Sequence, residues 1–259
     1  MLHFYKYHGT GNDFIILDNR DNNIHLTSSQ IAFLCHRNFG IGADGLMLLE
    51  KSIDTHFKMR YFNSDGEEGS MCGNGGRCLV AFAKKLNIIT TETEFEAIDG
   101  LHHATFTENG IRLKMNDVDG IEKIGNDFFL ETGSPHYVKY VNNLHTIDVF
   151  LEGRAIRYNN RFSEKGTNVN FIEKIGDSLH IRTYERGVEN ETLSCGTGTV
   201  AAAIISSLGT SDEYKDVQFQ TKGGPLKVSF IKSNEFQFKQ VWLEGPAKLV
   251  FDGKIDISN

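Results

Sequence analysis

A chain of 259 residues with 39% hydrophobic and 24% charged residues can bury a core of ordinary size, which excludes disorder, collagen-like repeats and low-complexity scaffolds. Its 27 basic and 34 acidic residues leave a net charge of −7, the wrong sign for gripping phosphate backbones, so nucleic acid is not an expected partner. Glycine is plentiful, 26 residues, and proline scarce, only 3, so the glycines serve turns, caps and close backbone approaches rather than linkers.

Strands are expected near Leu2 to Tyr7 and Phe14 to Leu17, in a leading segment that mixes His3, Lys6, His8 and Asp13 among its apolar residues and has no signal-peptide core. A helix is expected from Ser28 to Arg37, where Thr27 and Gln30 have capping-box spacing. Strands follow near Leu46 to Leu49 and Phe57 to Phe62. A second helix follows Asn74, with Leu79, Val80, Phe82, Ala83 and Leu86 at helical spacing and Asn87 as a left-handed stop. Strands near Glu94 to Ile98 and Ile111 to Met115 close the first half. The second half has strands near Tyr137 to Val141, Val169 to Ile172, Leu179 to Tyr184, Val217 to Gln220, Leu226 to Phe230 and Val241 to Glu244. It also has one strongly apolar helix from Gly198 to Leu208, with Gly209 as its stop. No run is long and apolar enough to cross a membrane as a helix. Four cysteines in a chain of this length are read as reduced thiols, which makes the cytoplasm the expected location. Their spacing matches no structural zinc site, and no metal is expected.

The halves repeat at a nearly constant offset. Cys72-Gly73-Asn74-Gly75 and Cys195-Gly196-Thr197-Gly198 stand 123 residues apart. Tyr61-Phe62-Asn63-Ser64 lies 122 residues before Thr183-Tyr184-Glu185-Arg186, and Gly11-Asn12-Asp13 lies 122 before Gly133-Ser134-Pro135. Three offsets within one residue imply an internal duplication into two pseudo-equivalent domains, 1–116 and 117–259.

A cysteine immediately before a helix start feels the positive end of the helix dipole and nearby N–H donors, which favour thiolate over thiol. Glycines after it let a ligand approach the backbone, and the first-turn N–H groups form a carboxylate site. Two such units point to a two-base inversion at carbon. One thiolate removes a proton, the opposite thiol delivers another to the other face, and the helix ends hold the carboxylate into which charge develops. This scheme needs no cofactor. Cys35 and Cys78 are expected to be core residues. Arg77 beside the glycines does not make a P-loop, because the Lys-Ser/Thr of that motif is absent.

Tyr7-His8-Gly9-Thr10-Gly11-Asn12-Asp13-Phe14, Met71 to Cys78, Tyr184 to Gly187 and Ser194 to Gly198 closely resemble, in order and across the whole chain, the diagnostic motifs of the diaminopimelate epimerases. The resemblance implies a mixed α/β (α+β) fold of two pseudo-symmetric domains, each a mostly antiparallel or mixed sheet wrapped around a central helix. A C-terminal tail, about 248–259, is expected to pack back on the first domain, and the active site to lie in the cleft between the two. It also implies a cofactor-independent epimerase, expected to be a homodimer, that converts LL-diaminopimelate to the meso isomer for lysine and peptidoglycan synthesis. By resemblance Cys72 and Cys195 are the acid/base pair, and Gly73, Asn74, Gly196 and Thr197 take the reacting α-carboxylate. Asn12, Asn63 and Asn168 bind the substrate, Glu185 and Arg186 engage its amino and carboxylate groups, and His136, with Glu185, tunes the thiols. Two departures stand out: Ser134 where many members have Asn, and Gly45 where some have Gln. Three alternatives are less well matched. A proline or hydroxyproline racemase typically has His where this chain has Asn74, a phenazine-type isomerase lacks the cysteine pair, and a redox switch would join Cys72 to Cys195 reversibly.

Overall fold

The computed structural model describes residues 1–257. Its internal contacts divide the chain into two units, Met1–Leu113 with the segment from Gly245, and Lys114–Glu244. In the first unit β1 (Leu2–Gly9) turns into β2 (Asn12–Asp18) through Thr10 and Gly11, whose φ values of 49° and 86° are the left-handed pair that a two-residue hairpin requires. After α1 (Ser28–Cys35), β3 (Gly45–Glu50) runs parallel to β2, and β4 (Phe57–Asn63) runs antiparallel to β3. The short β5 (Glu68–Gly69) lines the edge of β4. After α2 (Gly73–Lys85), β6 (Glu92–Ala97) joins β4 in parallel, with β7 (Gly100–Thr107) and β8 (Gly110–Lys114) following antiparallel.

The second unit repeats this order. β9 (Val118–Asp119), β10 (Glu122–Ile124) and β11 (Asp127–Glu131) lead into β12 (Pro135–Tyr140). After α3 (Val149–Arg157), β13 (Asn168–Ile175) runs parallel to β12 and β14 (Ser178–Glu185) antiparallel to β13, with β15 (Asn190–Thr192) along its edge. After α4 (Gly196–Ser206), β16 (Tyr214–Thr221) joins β14 in parallel, followed by the antiparallel β17 (Gly224–Lys232) and β18 (Gln237–Gly245). The pairing from β2 to β7 is thus reproduced, strand for strand, from β12 to β17. The last strand, β19 (Lys248–Ile255), pairs antiparallel with β1, so the chain's end completes the first unit's sheet. Residues 258–259 of the expected tail lie outside the described residues.

The sheets wrap α2 and α4, which are buried over most of their length. From Gly73 to Ala83 all of α2 except Ala81 is buried, and α4 is buried from Thr199 through Ile205. Burying Val200, Ile204 and Ile205 contributes roughly 1.5–3 kcal/mol each. Small residues permit the close fit: a β-carbon on Gly75 would lie 3.2 Å from Met47 Sδ and 3.5 Å from Phe14 Cζ. The outer helices cover the opposite faces. Ile31, Leu34 and Cys35 of α1 close a core with Phe4, Ile15, Leu17, Leu46 and Leu48. Val149 of α3 joins Tyr137, Phe162, Val169, Phe171 and Tyr184.

The expected capping box at Thr27 and Gln30 is present, and Asn87 takes its left-handed stop at φ 57°. Both cysteine-led helices begin earlier than their spacing predicts, at Gly73 and Gly196, so that each cysteine is itself the N-cap residue. The largest omission from the sequence reading is α3. It fully buries only Val149 and Gly153, with Ile156 packed against the same core. Shifting α1 by the 122-residue offset lands on residues 150–157, so the duplication itself carried the missing signal.

A charged cluster fixes the β1–β2 hairpin. Lys6, 6% exposed, lies 2.6 Å from Asp13 Oδ2 and donates to the Gly42 carbonyl, and Arg37 pairs with both Asp13 and Asp44. Burial pushes the Asp13 carboxyl up, but hydrogen bonds from Arg37 and Lys6 outweigh it and bring its pKa from 3.8 to about 2. A depressed carboxylate stabilises the fold above its unfolded pKa and ceases to do so as pH falls through the folded value. Asp13→Asn strands Lys6 and is expected to cost about 3 kcal/mol at neutral pH in urea denaturation. The gap from wild type should narrow as the pH is lowered from 3.8 toward about 2. Equal stability at neutral pH would refute this account.

Candidate active site

Each unit builds a hydrogen-bonded shell around its own cysteine. Cys72 caps α2 with extended backbone, φ −96° and ψ 130°, and Cys195 caps α4 with φ −120° and ψ 113°. The first intrahelical bonds run from Gly76 N to Cys72 O, 2.7 Å, and from Thr199 N to Cys195 O, 3.0 Å. The N–H groups of residues 73–75 and 196–198 therefore have no acceptor within their helices, the condition for an anion site at each end. Cys72 is half-buried and Cys195 8% exposed, and none of the four cysteines is in a disulfide. Cys35 and Cys78 are buried as expected; burial pushes the Cys35 thiol up to about 12 and that of Cys78 still higher, so neither ionises near neutrality.

Around Cys72, the hairpin delivers Asn12. Its Nδ2 donates to Asp44 Oδ2 at 2.7 Å, which turns Oδ1 toward Cys72 Sγ, 3.6 Å away, and toward Asn74 Nδ2 at 3.3 Å. Asn74 Oδ1 in turn accepts from Arg77 Nη2 at 2.8 Å and from Thr10 Oγ1 at 3.3 Å. Asn63 stands exposed at the end of β4 opposite Gly45; among the described residues no side-chain hydrogen bond joins it to this group. Asp44 was not anticipated, because nothing in the sequence marks it as the partner of Asn12.

Around Cys195, Thr197 Oγ1 lies 3.6 Å from the sulfur and 2.9 Å from His136 Nε2. Ser134 Oγ lies 3.0 Å from the same ring nitrogen and accepts from Asn168 Nδ2 at 3.1 Å. On the far side of the ring, His136 Nδ1 lies 3.1 Å from Asn170 Nδ2, which also donates to the Tyr137 carbonyl, and Asn170 Oδ1 accepts from Thr183 Oγ1. An amide donor on Nδ1 leaves the ring proton on Nε2, directed at the hydroxyls of Thr197 and Ser134. His136 is 0% exposed, and burial, with the charge of Arg186, pushes its pKa down to about 3; it is neutral at physiological pH and reaches the Cys195 end of α4 through Thr197.

Asn168 is committed to internal bonds, with Oδ1 accepting from Arg186 N at 2.8 Å and Nδ2 donating to Ser134 Oγ and the Pro135 carbonyl. Its orienting role on the loops is therefore better defined than any direct reach to a ligand. Glu185 Oε2 accepts from Thr192 Oγ1 at 2.9 Å, and Arg186 Nη1 donates to the Lys165 carbonyl. Arg186, with Glu131, Pro135, Phe162 and Lys165, lines an open pocket of about 420 Å³. Its carboxylates, Glu131 and Glu164, and its cations suit a zwitterionic end group. Asn170 is, after Asp44, a second site residue that sequence reasoning missed. It sits in an expected apolar strand, and its polar side chain, on the face away from Val169 and Phe171, was the available signal.

The pseudo-symmetry extends into the sites. At the 122-residue offset Thr10 corresponds to Thr132 and Asn12 to Ser134, while Asn74 corresponds to Thr197 at 123. Thr10 bonds the Asn74 side chain as Thr132 bonds the Thr197 carbonyl, and Asn12 lies against Asn74 as Ser134 lies 3.4 Å from Thr197.

The diaminopimelate epimerase family model matches residues 4–119 and 128–250. A curated diaminopimelate epimerase from Flavobacterium psychrophilum is 51% identical over 98% of this chain and 100% of its own length. One from Chlorobaculum tepidum is 47% identical over 96% and 99%. Among solved structures, a phenazine biosynthesis protein of the PhzF family from Bacillus anthracis superposes with a TM-score of 0.76 at 14% identity, covering 98% of both chains. A hydroxyproline epimerase from Agrobacterium vitis gives 0.70 at 12%, covering 97% of this chain and 91% of that one. At these identities the two structures are similar in fold alone.

Proposed function

The chain belongs to the diaminopimelate epimerase family, and from that premise we propose that Cys72 and Cys195 are the two acid/base groups of its epimerisation of LL-diaminopimelate to the meso isomer. The observation that carries this reading is the matched pair of cysteine N-caps on two buried helices, each inside an equivalent hydrogen-bonded shell. One cysteine begins as thiolate and the other as thiol. The thiolate takes the α-proton and becomes a thiol; the other thiol gives its proton to the opposite face of the same carbon and becomes a thiolate. The protein is left poised for the reverse reaction. As the proton leaves, charge moves into the α-carboxylate, where the N–H groups of Gly73, Asn74, Gly196 and Thr197 are assigned to hold it. These donors favour the transition state over the ground state.

Thr197 is assigned to donate to the Cys195 thiolate, with neutral His136 donating to Thr197 and fixing its hydroxyl. Glu185 and Arg186 are assigned to the substrate's amino and carboxylate groups. Asn12, Asn63 and Asn168 line the remainder, Asn168 by holding the Ser134 and Arg186 loops. The reading includes the two-domain organisation, a homodimer and a cytoplasmic location, all supported by the family resemblance; no helix among the described residues is long and apolar enough to cross a membrane.

Incubating the protein with LL-diaminopimelate in D2O, under reducing conditions and without pyridoxal phosphate, is expected to yield meso product carrying deuterium at the inverted carbon. Absence of α-proton exchange would overturn the reading. Inversion of proline or hydroxyproline in its place would redirect it to those substrates.

A further inference from the structure

Cys72 has a neighbour that the two-base scheme does not use. Arg77, one helical turn along α2, is 0% exposed, and among the described residues it forms no ion pair. Its Nη1 donates to the Gly73 carbonyl at 3.2 Å and its Nη2 to Asn74 Oδ1 at 2.8 Å and Thr10 Oγ1 at 3.4 Å, while Nε has no hydrogen-bond partner. A buried cation without a carboxylate is expensive, and natural cores keep one only where an anion or a specific geometry repays it.

The geometry is a chain of fixed amides. With Asn74 Oδ1 held by the guanidinium, Asn74 Nδ2 must turn to Asn12 Oδ1; with Asn12 Nδ2 held by Asp44, that same oxygen must face Cys72 Sγ. The hairpin closes over this chain only because residue 9 is glycine. A β-carbon there would lie 2.9 Å from the Asn74 carbonyl oxygen and 3.4 Å from Arg77 Nη2. We propose that Arg77 is a positioning residue for Cys72 and the built-in countercharge of its thiolate, acting through Asn74 and Asn12 on geometry and through space on charge. This rests on the reading of Cys72 as an acid/base group.

The surrounding ionisable groups leave that charge for Cys72. Burial pushes Tyr7 on β1 up to about 12 and the Cys78 thiol higher still, so both stay neutral, and Lys6, Asp13, Arg37 and Asp44 are engaged with one another. Burial lowers the affinity of Arg77 for its proton, and negative charge on Cys78 or Cys72 raises it; by reciprocity the guanidinium favours the Cys72 thiolate.

The test is the pH dependence of iodoacetamide alkylation at Cys72, located by mass spectrometry in a Cys195→Ala background, for Arg77, Arg77→Gln and Arg77→Lys. With folding verified by circular dichroism, Arg77→Gln is expected to move the profile upward by about one unit, slowing alkylation about tenfold at neutral pH. A folded Arg77→Gln protein with an unmoved profile overturns the proposal. Arg77→Lys keeps the charge but loses the fork. In the Cys195 enzyme it is expected to lower kcat with little change in KM, and wild-type kcat and KM in that variant also overturn the proposal. If Arg77→Gln does not fold, the Arg77→Lys result decides. Alkylation needs no turnover, so an Arg77-dependent alkylation profile in the Cys195→Ala background, together with a wild type that never epimerises, refutes the functional reading and not the assignment of Arg77.

Discussion

Alanine at Cys72 is expected to abolish inversion while leaving a folded protein, and alanine at Cys195 to do the same. Each substitution removes one of two proton-transfer groups, and a positioned acid or base is worth about 10²–10⁴ in rate. The more discriminating result is what survives. A variant with one thiol can remove the proton on its own face and return a deuteron to that face. Each single variant should therefore wash deuterium slowly into one diastereomer without inverting it, and the two variants should choose opposite diastereomers. Proton NMR in D2O, with LL- and meso-diaminopimelate supplied separately, measures both quantities. Inversion at the wild-type rate by either variant ends the two-base account, as does exchange into the same diastereomer by both.

The second large effect lies at Asn170, in the shell around Cys195. It is 0% exposed and satisfies three groups at once: His136 Nδ1, the Tyr137 carbonyl and Thr183 Oγ1. Asn170→Ala leaves them buried without those bonds, at about 1–3 kcal/mol for each group that finds no substitute, and a total near 4 kcal/mol is expected in urea denaturation. That is a large part of the margin of an ordinary domain. The imidazole also loses the donor that keeps its proton on Nε2, so kcat should fall in whatever fraction remains folded. Gly198→Ala should disturb the same point from α4, since its β-carbon would lie 2.3 Å from Asn170 Oδ1. Unchanged stability and turnover in Asn170→Ala would show that the His136 tautomer is not set there.

What was legible in the sequence was local. The capping box at Thr27, the apolar spacing after Asn74 and the left-handed Asn87 all depend on residues within a few positions of one another, and all are present. Three of the strands that escaped were partly solvated. β7 fully buries only Ala104, β10 buries nothing, and β19 leaves Leu249, Val250 and Phe251 exposed, so none shows clean alternation. Arg77 was legible as a residue beside a glycine-rich helix start but not as a buried one, because a charged side chain is ordinarily expected at the surface.

The sequence by itself determined the duplication, the pair of Cys-Gly-x-Gly helix starts and the chemistry these favour. A helix terminus makes its dipole and its unpaired N–H groups out of the next few residues, whatever surrounds it. Only the tertiary structure decided which atoms face the sulfurs. Asn12 is aimed by Asp44, 32 residues away, at Cys72, 60 residues away, and His136 meets Thr197 across 61. The neutrality of His136 and the isolation of Arg77 are likewise properties of what packs around them. Desolvation has no sequence period: it is set by all the chain that closes over a group, which is why the shell around each cysteine became readable only in the fold.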